Sequence, residues 1–314
     1  MKKEFEQIEW DDALQDDCRR LIRIAAREDL GRTFDWTTAA LVPESARGRA
    51  DIANREPGVI AGQGVVPLVI DEMQCDIEFE QFVDDGTRVD ARTKLGTLHG
   101  SARDLLVAER PILNFLGHLC GVASLAYQYV QAIEGTGARV YDTRKTIPGY
   151  RRLEKYAARC GGAKNHRLGL NTAILIKDNH LALGAQSAAD RYSAYDAVVK
   201  AREFVLETFD TDNRSNEVGD HPNMMVEIEV DTLDQLAMVI PTCPDIVLLD
   251  NMPPETLAKA VAMRNEAQAD IELEASGGVT LNTVRAIAES GVDRISVGAI
   301  THSATQLDIG LDWS

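Results

Sequence analysis

From about residue 138 to residue 297 the chain repeats one theme: a short apolar run ends in a polar residue or a glycine, and a helical stretch or loop follows. The runs are ARVYD (138–142), AILIK (173–177), MMVEIEV (224–230), DIVLLD (245–250), IELEA (271–275) and DRISV (293–297). Helix-like stretches separate several of them: TLDQLAMVI (232–240), PETLAKAVAMRNEA (254–267) and TLNTVRAIAESG (280–291). Strand–helix alternation implies parallel strands joined by crossover helices, so this part of the chain is of the α/β class. Six such strands are visible where a closed (β/α) barrel has about eight. The pattern alone leaves a closed and an incomplete barrel open.

The first part of the chain reads differently. Leu14, Cys18, Leu21, Ile22, Ala25 and Ala26 are at helical spacing over 13–30, and residues 48–100 hold short alternating runs rich in Gly and Val. This predicts a small separate α/β or α+β domain. The segment SARDLLVAERPILNFLGHLCGVASLAYQYVQAIEGTG reads as one helix with an apolar stripe at Ile112, Phe115, Leu116, Leu119, Val122, Ala123, Ala126, Tyr129 and Ile133. Pro111 suits a first-turn position, and Gly135 and Gly137 end the run. DTDNRSNEVGDHPN (210–223) is polar and breaker-rich, a predicted exposed loop.

No run of 18 apolar residues is present, and the N-terminus lacks the apolar core of a secretory signal. The five cysteines are scattered without CxxC pairs, which argues against a disulfide framework or zinc site and for a reducing cytoplasm. A net charge of −17 disfavours nucleic acid as a partner. Against that background, residues 142–167 (DTRKTIPGYRRLEKYAARCGGAKNHR) carry eight Lys or Arg and two acids, a local reversal of sign that implies an anionic ligand.

Functional residues of α/β barrels come from the C-terminal ends of the strands. Read in order, those ends deliver Asp142–Arg144–Lys145, Lys177, Glu229, Asp250, Ser276–Gly277–Gly278 and Gly298. One charge at a strand end is commonly a solvated terminus, but six ends in succession point to a site. The late glycines precede helical stretches and suit a phosphate cradle, although ordinary βα turns also favour glycine. Glu229 and Asp250 end adjacent strands and suit Mg²⁺, ribose hydroxyls or acid–base work. Glu227 shares the face of Glu229, and Glu229, nearer the strand end, is the better candidate.

The segments ERPILNFLGHLCGVAS, DTRKTIPGYRRLEKYAARCGGAKNHRLGL, ILIKDNH, VEIEVDTLDQL, DIVLLDNM, EASGGVTL and SVGAITHSA, in this order, resemble the quinolinate phosphoribosyltransferase family. The resemblance runs from about residue 20 to the C-terminus and is most specific over 142–180. It implies an incomplete (β/α) barrel (116–301) with an N-terminal α/β sandwich domain (1–115), to which 302–314 is a candidate addition. It also implies an obligate homodimer, open to higher assembly, and a cytoplasmic location with no membrane. The implied reaction joins quinolinate to phosphoribosyl pyrophosphate with Mg²⁺, giving nicotinate mononucleotide, CO₂ and pyrophosphate in NAD synthesis. Position by position, Thr143, Arg144, His166, Arg167 and Lys177 match residues around quinolinate, and Arg110 matches an arginine lent across the dimer interface. Lys145, Glu229, Asp250, Ser276, Gly277, Gly278, Ser296, Val297, Gly298 and His302 match the phosphoribosyl pyrophosphate site, with Glu229 and Asp250 also near the metal.

Two places depart from the family pattern: Pro111 follows Arg110, which would shift the helix start, and 210–223 is a longer insertion. Two other readings stand beside this one: a same-fold transferase for another base, and a non-catalytic phosphate-binding barrel. The retained carboxylate-binding set disfavours the first, and Glu229 and Asp250 disfavour the second. Weaker signals go to structure: Gly62-Gln63-Gly64 to a turn outside any strand-to-helix context, His118 and Cys120 to core or interface packing, and Cys160 to a structural thiol. Arg151, Arg152, Lys155 and Arg159 read mostly as surface or interface charges.

Overall fold

A computed structural model describes residues 4–184, 192–209 and 224–313. The predicted insertion at 210–223 lies outside them. The chain forms two compact units that interleave in sequence. The first comprises residues 1–6, 132–144 and 166–297, and the second 7–131, 145–165 and 298–314.

The second unit holds strands β1 (Arg47–Asn54), β2 (Gly58–Val59), β3 (Ile77–Gln81), β4 (Arg88–Val89) and β5 (Lys94–Ser101). β1 pairs antiparallel with β5 in the register Ala50↔Leu98, and β3 adds to the other edge of β5. Helix Asp12–Leu30 is capped by the Asp11 side chain, which accepts from the Leu14 amide at 2.8 Å, and it buries Leu14, Cys18 and Ile22.

The long helix runs unbroken from Ala102 to Ala132. Pro111 is therefore well inside it and not in a first turn, a correction to the sequence reading. Pro111 lacks the N–H that would bond the carbonyl four residues back. The fully buried flanking residues Ala108, Ile112, Phe115 and Leu116 supply the packing that carries the helix through that missing bond. This helix meets the length and hydropathy of a membrane span, at mean hydropathy 1.2 over 18 residues, but 67% of that window is buried within the fold.

The first unit is built on strands β6 (Arg139–Tyr141), β7 (Ile174–Ile176), β8 (Val226–Val230), β9 (Ile246–Asp250), β10 (Glu272–Ser276) and β11 (Arg294–Ser296). All six are parallel, in the order β6-β11-β10-β9-β8-β7. Chain neighbours are sheet neighbours from β7 to β11, and β6 closes onto β11. The strands β6 and β7, consecutive in the chain, are not paired, so the barrel is open there. Between them the chain leaves the barrel unit for residues 145–165. A last strand, β12 (Ile309–Trp313), pairs antiparallel with β1 in the second unit.

The barrel strands alternate with period two, and on β8, β10 and β11 the inward face is polar. Glu227 and Glu229 of β8, Glu272, Glu274 and Ser276 of β10, and Arg294 and Ser296 of β11 share it, while Val226, Ile228, Leu273, Ala275 and Ile295 form the buried opposite face. Hydrophobic burial on the outward face drives the fold; by register, Ile246 and Leu248 of β9 and Tyr141 of β6 join the ion pairs on the inward face.

Candidate active site

Inside the barrel unit a charged network runs below the strand ends. Arg294 is fully buried, with Nε 2.9 Å from Glu274 and Nη1 3.0 Å from Glu272. Its guanidinium lies 3.7 Å from the centroid of the Tyr141 ring. Arg139 reaches the second oxygen of Glu272 at 2.6 Å, and Ser296 donates to Glu274. Sequence reasoning missed Glu272, Glu274 and Arg294. The signal was there in IELEAS, where charged residues take every second position, but such alternation ordinarily marks a solvent face.

His166 joins this network. Its Nε2 is 3.2 Å from Glu227 and 3.3 Å from Glu274, both fully buried. Its Nδ1 accepts from the Arg167 amide at 2.8 Å, and its own amide donates to the buried Asp142 at 2.8 Å. Burial alone would lower the His166 pKa, but Glu227 and Glu274 raise it to about 9. The amide at Nδ1 favours the neutral ring; two carboxylates outweigh one neutral donor. Both ring nitrogens thus face protein groups. Glu227 and Glu229 do both turn inward, as their shared parity implies. Glu227 belongs to the buried layer and Glu229, half-buried, to the strand end.

At the strand ends, the Lys177 ammonium donates to Glu229 in a close ion pair. Burial raises the Glu229 pKa, as do the nearby carboxylates Asp250 and Asp178, against the pull of Lys177. Asp250 ends β9 in register with Ser276 of β10. Burial, then the neighbouring Arg144 guanidinium, lowers the Arg167 pKa; Arg167 also donates to the Ala173 carbonyl at 3.0 Å. Two guanidinium groups held close enough to oppose each other form a place where an anion is stabilised. Thr143 and Arg144 follow β6 and are half-buried. Arg167 also borders a largely apolar cavity of about 380 Å³ against β7.

The loop after β10 carries Gly277 at φ +93° and Gly278 at φ +60°, both left-handed. A Cβ at Gly277 would lie 2.2 Å from Asn251 Oδ1, so glycine is needed for conformation and for space. The helix that follows spans Val284–Glu289, much shorter than the predicted 280–291, and the one after Gly298 is only Ala299–His302. Such short helices contribute little macrodipole, which leaves the backbone amides and nearby cations as the anion-holding groups.

The second unit brings together Lys145, Gly298 and His302. A Cβ on Gly298 would lie 2.9 Å from Lys145 Cδ and 3.2 Å from His302 Nε2. The Thr301 hydroxyl donates to the Lys145 carbonyl at 2.7 Å and holds the loop to the short helix. Lys145, Thr301 and His302 line a cavity of about 790 Å³ with His118, Thr146, Ile147, Pro148, Ala304 and Gln306. Arg110 is exposed on the long helix, 4.0 Å from Glu109.

Some weaker sequence signals resolve here. Gly62-Gln63-Gly64 does form a turn, but it follows β2 and opens a helix (Val65–Glu72), a strand-to-helix setting that the sequence reading denied. Its amides at Gly62 and Gln63 are occupied by Asp85, at 2.9 and 3.0 Å, so it holds no phosphate. Lys155 is fully buried, not a surface charge, whereas Arg152 pairs with Asp17 at 3.3 Å and Arg159 donates to the Ile8 carbonyl. Burial pushes the Cys120 and Cys160 thiols up to about 12, which suits structural thiols and not nucleophiles.

Comparison with known proteins accounts for nearly the whole chain. The family described as "Quinolinate phosphoribosyl transferase, N-terminal domain" matches residues 35–120, and its C-terminal domain matches 122–312. The nicotinate-nucleotide pyrophosphorylase [carboxylating] of Mycobacterium leprae is 40% identical over 299 residues, covering 95% of this chain and 97% of that protein. The mitochondrial quinolinate phosphoribosyltransferase [decarboxylating] 2b of Nicotiana tabacum is 34% identical over 94% of this chain and 82% of its own. The solved nicotinate-nucleotide pyrophosphorylase of Francisella tularensis superposes with a TM-score of 0.84 at 34% identity, covering 99% of this chain and 100% of that one. With both domains matched in order and the open parallel barrel in place, the chain belongs to the quinolinate phosphoribosyltransferase family.

Proposed function

We propose that this chain transfers the phosphoribosyl group of phosphoribosyl pyrophosphate to quinolinate with loss of CO₂, forming nicotinate mononucleotide and pyrophosphate in NAD synthesis. The observation that carries the reading is the double arginine set beside an acid pair. Arg144 and Arg167 oppose each other, while Lys177 neutralises Glu229 at the adjoining strand end.

Quinolinate is a dianion, and Arg144, Arg167 and Lys177, with Thr143 beside them, supply charge and fork geometry for two carboxylates. His166 lies beneath with both nitrogens engaged, so its part is to add positive charge and to hold the Arg167 backbone. Lys177 and Glu229 satisfy each other. A substrate carboxylate that takes Lys177 frees Glu229 for the ribose, so the two substrates assist each other. Departure of pyrophosphate builds positive charge at the ribose C1, which Glu229 and Asp250 stabilise. The ring nitrogen attacks C1 and becomes cationic. The C2–carboxylate bond then breaks, its electron pair staying at C2 beside that cation, and a proton replaces CO₂. Positioning and electrostatics do most of this work.

Lys145 and His302 line the cavity that suits the phosphates, and a Cβ at Gly298 would meet both side chains. Ser276, Gly277, Gly278, Ser296 and Val297, at the ends of β10 and β11, are assigned to phosphoribosyl pyrophosphate as well. Two carboxylates at adjacent strand ends are hard oxygen donors and fit Mg²⁺ held jointly with the substrate; bound there, it would neutralise diphosphate charge. Arg110, exposed on its helix, is assigned to a neighbouring subunit's site in a homodimer, in the cytoplasm.

The test is purified protein with carboxyl-labelled quinolinate, phosphoribosyl pyrophosphate and Mg²⁺, following labelled CO₂. Release of CO₂ with formation of the mononucleotide is expected. Turnover of nicotinate but not quinolinate, or binding without turnover, would overturn the proposal. Mixed dimers of Arg110→Ala and Lys177→Ala chains should regain part of the activity that each variant loses alone.

A further inference from the structure

The sequence assigns His118 to packing, yet it sits on the wall of the 790 Å³ cavity that also holds Lys145 and His302. Three basic side chains face one concavity, and no carboxylate is among the cavity's lining residues in a chain with 50 acids and a net charge of −17. Such a concavity focuses positive potential and selects anions.

The imidazole is held from behind. Its Nε2 lies 2.8 Å from Glu154 Oε1, and Glu154 is fully buried. The second oxygen of Glu154 accepts from the amide of Ile147 at 3.1 Å, on the loop that carries Lys145. One buried carboxylate therefore sets both the ring and the loop that face the cavity. The Tyr150 ring meets His118 edge-on at 5.5 Å and is itself stacked on Phe115, which restricts the imidazole further. The remaining nitrogen, Nδ1, has no hydrogen-bond partner among the described residues. A ring fixed by a carboxylate on one nitrogen, with the other left over at a cavity that also holds Lys145 and His302, is placed to hydrogen-bond an anion.

We propose that His118 is a further phosphate-binding residue of this chain, positioned by Glu154, and that it grips a phosphate group of phosphoribosyl pyrophosphate together with Lys145 and His302. The inference rests on the reading of the function given above. When the anion binds, the ring keeps Nε2 on Glu154 and turns Nδ1 to a phosphate oxygen.

The experiment titrates inorganic pyrophosphate into the full-length protein by calorimetry, and measures steady-state kinetics with both substrates. His118→Gln keeps an amide that can still donate to Glu154, so the fold and the 147 loop are retained. His118→Ala and Lys145→Ala are run beside it, with thermal melts of all variants. The expected result is wild-type binding of pyrophosphate, weakened about tenfold in both His118 variants. The KM for phosphoribosyl pyrophosphate should rise by a similar factor, with the KM for quinolinate within about twofold. Glu154→Gln should show a smaller loss of the same kind, because the ring is then held less firmly. Unchanged pyrophosphate affinity in both His118 variants, with weakened binding in Lys145→Ala, overturns the inference and leaves the proposed function standing. Wild-type protein that binds no pyrophosphate and turns over no quinolinate sinks both. Equal losses for the two substrates, tracking a fall in thermal stability, would mean that His118 is structural.

Discussion

Replacement of Arg294 by Met tests whether the barrel interior is one energetic unit. Met preserves length and apolar contact but removes the donor that Glu274 meets at 2.9 Å and Glu272 at 3.0 Å. Breaking a buried ion pair from one side costs about 3–5 kcal/mol, because a carboxylate is left in a dry interior. Here the abandoned acids keep other partners: Glu272 retains Arg139 at 2.6 Å, and Glu274 retains His166 at 3.3 Å and Ser296. That places the loss near the lower bound, about 3 kcal/mol, with a little more from the lost contact with the Tyr141 ring. Urea unfolding near neutral pH, followed by far-ultraviolet circular dichroism, measures it. Glu274→Gln in the Arg294→Met background removes the stranded charge. The double variant should therefore be more stable than the sum of the two single losses by at least about 1 kcal/mol. A loss below about 1 kcal/mol for Arg294→Met, or strict additivity in the cycle, would refute the idea that the network is coupled.

The pH dependence follows from two opposite shifts. The folded pKa of His166 is raised to about 9, so its contribution is complete below the ordinary 6.5 and is lost as pH climbs toward 9. Burial alone would raise the Glu274 pKa, but His166, Arg294 and Ser296 hold it down to about 2. Its contribution is therefore present above the ordinary 4.5 and is lost as pH falls toward 2. Urea midpoints measured across this range should peak between the two ordinary values, and Glu227→Gln should flatten the alkaline limb; a midpoint that rises toward pH 9 contradicts the assignment. Arg144→Ala should cost about 2–5 kcal/mol in kcat/KM for quinolinate, with the KM for phosphoribosyl pyrophosphate nearly unchanged in steady-state assays. Gly298→Ala places a methyl 2.9 Å from Lys145 Cδ, the far part of a flexible side chain that can swing away. Kinetics should then show a KM for phosphoribosyl pyrophosphate about tenfold higher, while the melting temperature stays close to wild type.

Most of the barrel strands were legible because their cue is local. DIVLLD, predicted at 245–250, is the strand Ile246–Asp250, and PETLAKAVAMRNEA, predicted at 254–267, is the helix Pro254–Glu266. Buried parallel strands and their helices carry strong apolar periodicity, and glycine, proline or acid marks their ends. The residues at those ends could be named for the same reason. Less legible was what lies one layer down. Glu227, Glu272, Glu274 and Arg294 obey the same alternation as a wetted face, and only their mutual distances show that they are paired in the interior. Lys155 sits in a run of cations and reads as surface, although it is fully buried. Pro111 reads as a helix start because proline is favoured there; the packing of its buried neighbours overrides that preference. His118 reads as core or interface packing because it stands in an apolar helix, and only the fold brings Glu154, 36 residues away, to its Nε2.

By itself the sequence determines the α/β class, the succession of strands and helices, the polar residue at each strand end and the family. All of these depend on neighbours a few residues apart or on motifs that survive as contiguous words. The tertiary structure alone decides that the barrel opens between β6 and β7, that residues 145–165 and 298–314 fold with the other unit, and that the charged residues of the inward face meet one another as buried ion pairs. Those outcomes depend on contacts between residues far apart in the chain, where burial turns the same alternation of charge from a solvated surface into a network of fixed partners.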